Sequence, residues 1–275
     1  MTPRILDIPA SFASLVDWTA QMVLDRKAPG LIIGISGTDS AIAFLACAAA
    51  MQRCGRGDRV VGVHYAKPWP PEGSSDQQMA KVLAMAPNFA WEQRILIPWL
   101  REQAPEATIV VDGSIDYRSD PHRWADLLKR SLNGAQPTQP LLTDGTFWVV
   151  GTRNATEDAL LTYSNASRIA SVQPLMQLWK SEILQLCTWL GVPQIAIDRS
   201  RQMDCDCGRF ELAASHIEEV DAILMARGGL IDPAWPEQHL DAELLRALTA
   251  FIDEQMTYAG FKREIPYQPG LEVIR

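Results

Sequence analysis

The sequence predicts an α/β protein in which a parallel β-sheet is covered by helices on both faces. Short runs rich in β-branched residues alternate along the chain with longer helical stretches, an order typical of units with parallel strands. The first short run, residues 31–35, is apolar without interruption, as expected for a strand buried on both faces. Polar residues follow three predicted strands, after Ile35, after Val63 (His64) and after Val150, with clusters at residues 36–40 and 151–157, and parallel sheets bind their ligands at such strand ends.

Each element has its own local signal. Residues 15–26 place apolar side chains at helical spacing, and the apolar stretch from Ser40 ends at Gly55, a residue typical of helix ends. Residues 75–86 begin with Ser and Asp and precede Pro87, which is the capping pattern of a helix. The patterns predict helices at residues 15–26, 40–54, 75–86, 157–163, 178–190 and 213–226, and strands at residues 31–35, 59–66, within 91–100 and at 147–152.

Composition restricts the class of protein. The 275 residues are 47% hydrophobic and 21% charged, which are values of a folded chain rather than a disordered one. The longest apolar run, residues 41–51, is too short to cross a bilayer, and the first residues lack the apolar core of a secretion signal. Five cysteines form an odd, unpatterned set, which fits a reducing compartment. We therefore expect a cytoplasmic protein without a membrane segment.

Net charge restricts the partners. The formal charge is −8 at pH 7, which argues against a broad nucleic-acid surface because phosphate backbones select basic faces. A small anionic ligand held by a few cations remains compatible with this charge. We therefore expect small-molecule substrates.

The first polar cluster has the features of a phosphate loop. Small residues at a helix N-terminus expose backbone N–H groups, and the helix dipole adds to this anion site. The hydroxyl groups offer further donors, and Asp39 suits a Mg²⁺ ion that bridges phosphates. The residues also allow an ordinary helix start with Asp39 or Ser40 as N-cap. The cluster consists of Gly34, Ser36, Gly37, Thr38, Asp39 and Ser40.

This cluster resembles the SGGxDS pyrophosphate loop of the N-type ATP pyrophosphatases, the superfamily of NAD synthetase, GMP synthetase and the asparagine and argininosuccinate synthetases. The strand before it is most similar to that of NAD synthetase. From Ser36 to Ser40 the chain has one residue fewer than the family loop, so its backbone cradle must have a different shape. The resemblance implies an adenine-nucleotide α-hydrolase-like (Rossmann-like) sheet, with ATP and Mg²⁺ as cofactors.

The second polar cluster, GTRNATE at residues 151–157, resembles the GTSNKSE stretch of archaeal-type NAD synthetases. The resemblance implies that Thr152 contacts nucleotide or substrate, and that Glu157 is the second Mg²⁺ ligand opposite Asp39. Two carboxylates, with phosphate oxygens and water, suit octahedral Mg²⁺. The residues alone also allow Thr152 as a helix cap and Glu157 as a first-turn acid that the helix dipole favours.

A third segment, residues 173–193, resembles the family segment PLxxLxKxxxxxLAxxLGxP nearly position for position. Its Lys180 lies near a helix start, where a cation gains nothing from the helix dipole. A bound phosphate would explain this lysine, and a solvated surface lysine is the alternative. Residues 113–118 match the family's GNxxxR more weakly, with Ser114 in place of the Asn. That match implies that Arg118 contacts substrate phosphates.

The resemblance covers roughly Leu15 to Ala226, but it is interrupted at residues 201–210, RQMDCDCGRF, and the helix around residues 218–224 aligns again. Three interpretations of this segment stay open. Cys205 and Cys207 form a metal site, although C-x-C is not the usual C-x₂₋₄-C spacing; the two thiols serve redox or sulfur-transfer chemistry; or the segment binds substrate through Asp204, Asp206 or Arg209.

The resemblance implies one domain over residues 1–275, with the part from about residue 200 to 275 completing the substrate side. It implies that ATP adenylates the carboxylate of nicotinic acid adenine dinucleotide, that pyrophosphate leaves and that ammonia forms the amide. It also implies a homodimer. A related amidotransferase or thiolase with another acceptor is the first alternative, and a non-catalytic nucleotide-binding protein is the second. The expected catalytic residues are Asp39, Lys180 and Glu157, and the expected binding residues are Gly34, Ser36, Gly37, Thr38, Ser40, Thr152, Lys180 and Arg118.

Overall fold

The computed structural model of the chain describes residues 4, 6–66, 75–77, 91–113, 120–132, 147–202 and 211–263. Its strands are β1 (Leu31–Gly34), β2 (Val60–Tyr65), β3 (Thr108–Asp112) and β4 (Trp148–Val150). They form one sheet in the order β3-β2-β1-β4, in which all neighbours are parallel. The predicted parallel α/β architecture is confirmed.

Helices surround this sheet. The described helices are α1 (Ile8–Arg26), α2 (Thr38–Arg53), α3 (Ile97–Gln103), α4 (Asp120–Leu132), α5 (Ala155–Leu160), α6 (Lys180–Leu190), α7 (Gln194–Ser200), α8 (Glu211–Ser215), α9 (Ile217–Arg227), α10 (Trp235–His239) and α11 (Ala242–Tyr258). Within the described residues, none of these helices has both the length and the apolar character needed to cross a membrane.

The side chains of β1 alternate between the two faces of the sheet. Leu31 and Ile33 belong to the core formed with α1, α2 and α6, whereas Ile32 packs in the opposite core with Leu127 of α4. All three β1 side chains are fully buried, and each such burial contributes about 1.5–3 kcal/mol. Burial on both faces explains why the strand has no polar position.

Residues 92–103 are helical, so the strand predicted within residues 91–100 is wrong. A π-helical turn at Glu92–Leu96 leads into α3, and Pro98 lies in the first turn of α3. A proline has no N–H to donate inside a sheet, which disfavours the strand, and here Pro98 lies at the junction between the π-helical turn and α3. The third strand is instead β3, which pairs with β2 from Thr108 opposite Val61 to Asp112 opposite Tyr65.

Several predicted boundaries also shift. Helix α1 begins at Ile8, earlier than predicted, because the Asp7 side chain accepts the N–H of Ala10 at 3.0 Å and caps the helix. The helix predicted at residues 213–226 is divided into α8 and α9, because the backbone of His216 is not helical. Of the helix predicted at residues 75–86, only residues 75–77 lie within the described part.

A separate helical layer follows the sheet in sequence. Helices α9 and α11 pack with α5 and with Trp179, the residue before α6. Leu248 and Ile252 of α11 are fully buried in this layer. The layer therefore supports the starts of α5 and α6.

Candidate active site

The order in which the strands are added to the sheet changes direction at β1. From β1 the chain proceeds through β2 to β3 on one side, and it then returns to place β4 on the other side of β1. The segments after β1 and β4 therefore diverge at the carboxyl edge of the sheet and leave a crevice, which is where open parallel sheets bind ligands. The predicted polar clusters at residues 36–40 and 151–157 directly follow these two strands.

Ser40 organises the loop after β1. Its Oγ accepts hydrogen bonds from the N–H groups of Ser36 (2.9 Å) and Gly37 (3.0 Å), and it donates to the Gly37 carbonyl (2.9 Å). Two N–H groups expected to bind a phosphate are thus satisfied inside the loop. Helix α2 begins at Thr38 after Gly37, so the alternative with Asp39 or Ser40 as N-cap is wrong.

The side chain of Lys180 reaches this loop from α6. Its Nζ donates to Thr38 Oγ1 at 2.9 Å and forms a salt bridge with Asp39. The side chains of Lys180 and Asp39 are only 13% and 19% exposed, so the interpretation of Lys180 as a solvated surface lysine is wrong. Two of the three expected catalytic residues are therefore in contact.

Asn154 joins Asp39 to Glu157. Its side-chain amide donates to Asp39 Oδ1 at 2.9 Å, and its Oδ1 accepts the N–H of Glu157 at 2.9 Å. The N–H of Asn154 also lies 3.4 Å from Glu157 Oε2, which completes a capping box at the start of α5. Asn154, not Thr152, is the helix cap. Sequence reasoning missed this residue, although Asn followed three positions later by Glu is a capping signature.

Thr38 also contacts Ser200 and Cys187. Its Oγ1 lies 2.7 Å from the hydroxyl oxygen of Ser200 at the end of α7. The Cys187 thiol lies 4.0 Å from the Thr38 carbonyl oxygen, and burial raises the pKa of Cys187 to about 12. Sequence reasoning missed Ser200, which lies 162 positions from Thr38.

The positions of the other residues that the sequence singles out are as follows. Gly34 ends β1, and a Cβ there would lie 3.2 Å from Leu127 Cδ1. Thr152 is half-buried in the loop after β4. Arg118 and residues 203–210, including Cys205 and Cys207, lie outside the described residues. His64 is buried near the end of β2 with Nδ1 2.9 Å from the Ile35 carbonyl oxygen, and burial lowers its pKa.

The site combines hard oxygen ligands with an ammonium group. The carboxylates of Asp39 and Glu157 are joined through Asn154, and their oxygens are ligands that Mg²⁺ prefers, so the donor set fits this ion. Among the described residues, no group of three or more His, Cys, Asp or Glu side chains is arranged to hold a metal. Phosphate oxygens and water would complete the six ligands of Mg²⁺, and the ammonium of Lys180 suits a phosphate oxygen.

Solved structures share this fold over nearly the whole chain. An NH3-dependent NAD synthetase from Campylobacter jejuni subsp. jejuni NCTC 11168, in complex with the nitrate ion, has a TM-score of 0.60 at 17% identity, over 96% of this chain and 100% of that chain. An NMN synthetase from Francisella tularensis has a TM-score of 0.58 at 16% identity, over 97% and 100% of the two chains. An NAD+ synthetase from Burkholderia pseudomallei has a TM-score of 0.52 at 18% identity, over 95% and 92%.

In sequence, no protein-family model and no curated protein matches the chain. The likeness to the three solved structures is therefore one of fold, reached at low sequence identity. This chain has the fold of the NAD synthetases and of NMN synthetase, as the three motifs of its sequence indicate.

Proposed function

We propose that this chain is an ATP-dependent ligase that adenylates a carboxylate and releases pyrophosphate, as in the NAD synthetases whose fold it shares. The observation that carries the proposal is the salt bridge between Lys180 and Asp39 at the crevice beside β1. An ammonium and a carboxylate beside a small-residue loop can bind a phosphate and its Mg²⁺ counter-ion, respectively.

The proposed reaction has two steps. An oxygen of the acceptor carboxylate attacks the α-phosphorus of ATP, the bond to the bridging oxygen breaks, and pyrophosphate leaves with that electron pair. Ammonia then attacks the acyl carbon, AMP leaves, and the proton released from nitrogen passes to water. Such a reaction mainly needs positioning of the reactants and neutralisation of phosphate charge.

The residues of the crevice supply these needs. Asp39 and Glu157 would hold Mg²⁺, which neutralises phosphate charge when bound. Asn154 sets the spacing of the two carboxylates through its hydrogen bonds. Lys180 is bonded to Asp39 in the structure. With Asp39 holding Mg²⁺, the ammonium of Lys180 would donate to a phosphate oxygen instead of to Asp39.

We propose nicotinic acid adenine dinucleotide as the acceptor, with residues from about 200 onward and Arg118 on the substrate side. One observation favours a different acceptor for an amidotransferase or thiolase, namely that residues 201–210 depart from the family. Another favours a non-catalytic nucleotide-binding protein, because Ser40 occupies the N–H groups of Ser36 and Gly37. The homodimer and the cytoplasmic location remain expectations from the sequence.

Pyrophosphate release from Mg-ATP with nicotinic acid adenine dinucleotide and ammonium tests the proposal. We expect Lys180→Met and Asp39→Asn each to lower the rate at least about 100-fold, because the first removes a cation placed where phosphate charge develops and the second removes the charge of a proposed Mg²⁺ ligand. Lys129→Met and Asp25→Asn are matched controls, since both side chains are exposed on α4 and α1 and take no part in the contacts of the site. Both controls should keep the wild-type rate.

Each result separates the candidate functions. Release that needs the dinucleotide and is lost in both site variants supports the NAD synthetase reaction. Release only with another acceptor rejects the dinucleotide and supports the related amidotransferase or thiolase. Binding of ATP seen by calorimetry, without release in the presence of any acceptor, contradicts the ligase and supports the non-catalytic alternative.

A further inference from the structure

We propose that Asp221 is a positioning residue that holds the first turns of α5 and α6 together, and with them Glu157 and Lys180. The proposal rests on the proposed function, because the spacing of these two residues matters for catalysis only if they bind Mg²⁺ and phosphate. Asp221 lies in the middle of α9, and its side chain is completely buried.

Both carboxylate oxygens of Asp221 are bonded to the starts of these helices. Oδ1 accepts a hydrogen bond from Thr156 Oγ1 at 2.6 Å, and Oδ2 accepts the backbone N–H of Ser181 at 2.8 Å. Thr156 Oγ1 in turn accepts the backbone N–H of Lys180 at 2.8 Å. Three hydrogen bonds therefore connect one carboxylate to the residue beside Glu157 and to the backbone of Lys180 itself.

A backbone contact joins the same two helix starts. The N–H of Ala155, the first residue of α5, donates to the carbonyl of Leu178 at 2.8 Å. Leu178 lies just before α6, which begins at Lys180. The first turn of α5 is thus hydrogen-bonded to α6 and to the segment that leads into it.

The cost of burying a carboxylate links the charge of Asp221 to the positions of both helix starts. A buried carboxylate is unfavourable unless hydrogen bonds compensate for its lost hydration. At Asp221 the compensation comes from Thr156 and from an N–H group of the first turn of α6, where N–H groups have no partner within the helix and the dipole favours an anion. The charge is therefore accommodated only when both helix starts are in place.

Removing the hydroxyl of Thr156 tests the proposal, because it breaks the connection at its midpoint. Thr156→Val keeps the shape of the side chain and removes the hydroxyl, whereas Thr156→Ser keeps the hydroxyl. Thr19→Val is the control for loss of a threonine hydroxyl elsewhere in the fold, because Thr19 donates its hydroxyl to a backbone carbonyl, that of Leu15 at 2.8 Å, and is fully buried, whereas Thr156 is half-buried. Asp221→Asn is a second variant that removes one acceptor oxygen, and thermal unfolding checks that every variant is folded.

The direct readout is the rate at which acetic anhydride acetylates Lys180, measured by peptide mass spectrometry with exposed Lys129 as internal reference. In the wild type Lys180 is 13% exposed and bonded to Asp39, so it reacts slowly. We expect about tenfold faster acetylation in Thr156→Val and Asp221→Asn, corresponding to the loss of about one hydrogen bond. Thr156→Ser and Thr19→Val should react as the wild type does. Pyrophosphate release should fall in the first two variants and be retained in the other two.

The two readouts fail independently. A Lys180 that is as protected in Thr156→Val and Asp221→Asn as in the wild type overturns the positioning role. Equal acetylation changes in Thr156→Val and Thr19→Val also overturn it, because a general loss of stability would then explain both. Faster acetylation in the two site variants, in a protein whose wild type releases no pyrophosphate with any acceptor, supports the positioning role and rejects the ligase function.

Discussion

Burial of the Asp221 carboxyl raises its pKa from 3.8 to about 6, because lost hydration and the nearby Glu182 carboxylate outweigh the hydrogen bonds from Thr156 and Ser181. Between these two pH values the folded chain binds a proton at Asp221 that the unfolded chain has released. The free energy of unfolding contributed by this group therefore falls as pH rises from about 4 to about 6 and stays constant above that range.

Asp221→Asn removes this dependence. A shift of this size corresponds to about 3 kcal/mol between the two ends of the pH range. We therefore expect the free energy of unfolding of the wild type to fall by about this amount relative to that of Asp221→Asn as the pH rises through this range. Urea unfolding at a series of pH values from 4 to 7 measures it. Asp253→Asn is the control, because Asp253 is exposed at the protein surface. Identical pH profiles for Asp221→Asn and the wild type would contradict the assignment.

The contacts of some site residues could be predicted from the sequence, and those of others could not. Asp39 and Lys180 stand in recognisable motifs, and the structure places them in contact, while their roles stay predictions. Asn154 and Ser200 bond to residues 115 and 162 positions away, and no local pattern shows such a partner. Ser40 was expected to offer its hydroxyl to a phosphate, whereas its geometry shows a residue that closes its own loop.

At the scale of elements, Gly62 in β2 marks a close approach between the sheet and α2. A Cβ at this position would lie 2.3 Å from Ile35 Cδ1 and 3.1 Å from Phe44 Cε2. Both neighbours are themselves buried. We expect Gly62→Ala to lower the free energy of unfolding by about 1–3 kcal/mol, the usual effect of overpacking, as measured by urea unfolding.

Gly37→Ala provides the comparison for Gly62→Ala. Apart from its chain neighbours, no atom of the described residues lies within 4 Å of a Cβ built at Gly37, and its φ of −179° is extended backbone that any residue adopts. Its stability should stay within about 0.5 kcal/mol of the wild type. Equal losses of stability in the two alanine variants would show that the contact at Gly62 is not the cause.

The elements that sequence reasoning misplaced show where local pattern is ambiguous. The run ILIPWL is apolar enough for a strand or a helix, and Pro98 disfavours the strand because it has no N–H for a sheet. Strand β3 is β-branched but only partly buried at the edge of the sheet, so its apolar signal was weaker. The central strand β1, apolar and fully enclosed, was predicted within one residue.

At the scale of the whole molecule, a net charge of −8 disfavours polyanions. We expect fluorescently labelled tRNA to bind with a Kd weaker than about 10⁻⁴ M at physiological salt, the weak end of non-specific binding. Fluorescence anisotropy measures it, with a basic RNA-binding protein as positive control. Tighter, salt-dependent binding would contradict this expectation and favour a thiolase that acts on a base.

The overall architecture was the most predictable level. Alternating strand and helix patterns indicate a parallel sheet, and polar clusters after two strands indicate the crevice, because each signal lies within a few residues of the chain. The order of the strands and the helical layer of α9 and α11 depend on contacts between distant segments. Those contacts are set by packing, which local patterns do not encode.

The position of β1 between β2 and β4 has a consequence for synthesis of the chain. On the ribosome, β2 follows soon after β1, but β4 emerges only after β3 and α4. Until then one edge of an entirely apolar strand lacks its neighbour, and such an edge can pair with another nascent chain. Pairing of β4 with β1, from Trp148 opposite Leu31 to Val150 opposite Ile33, closes this edge.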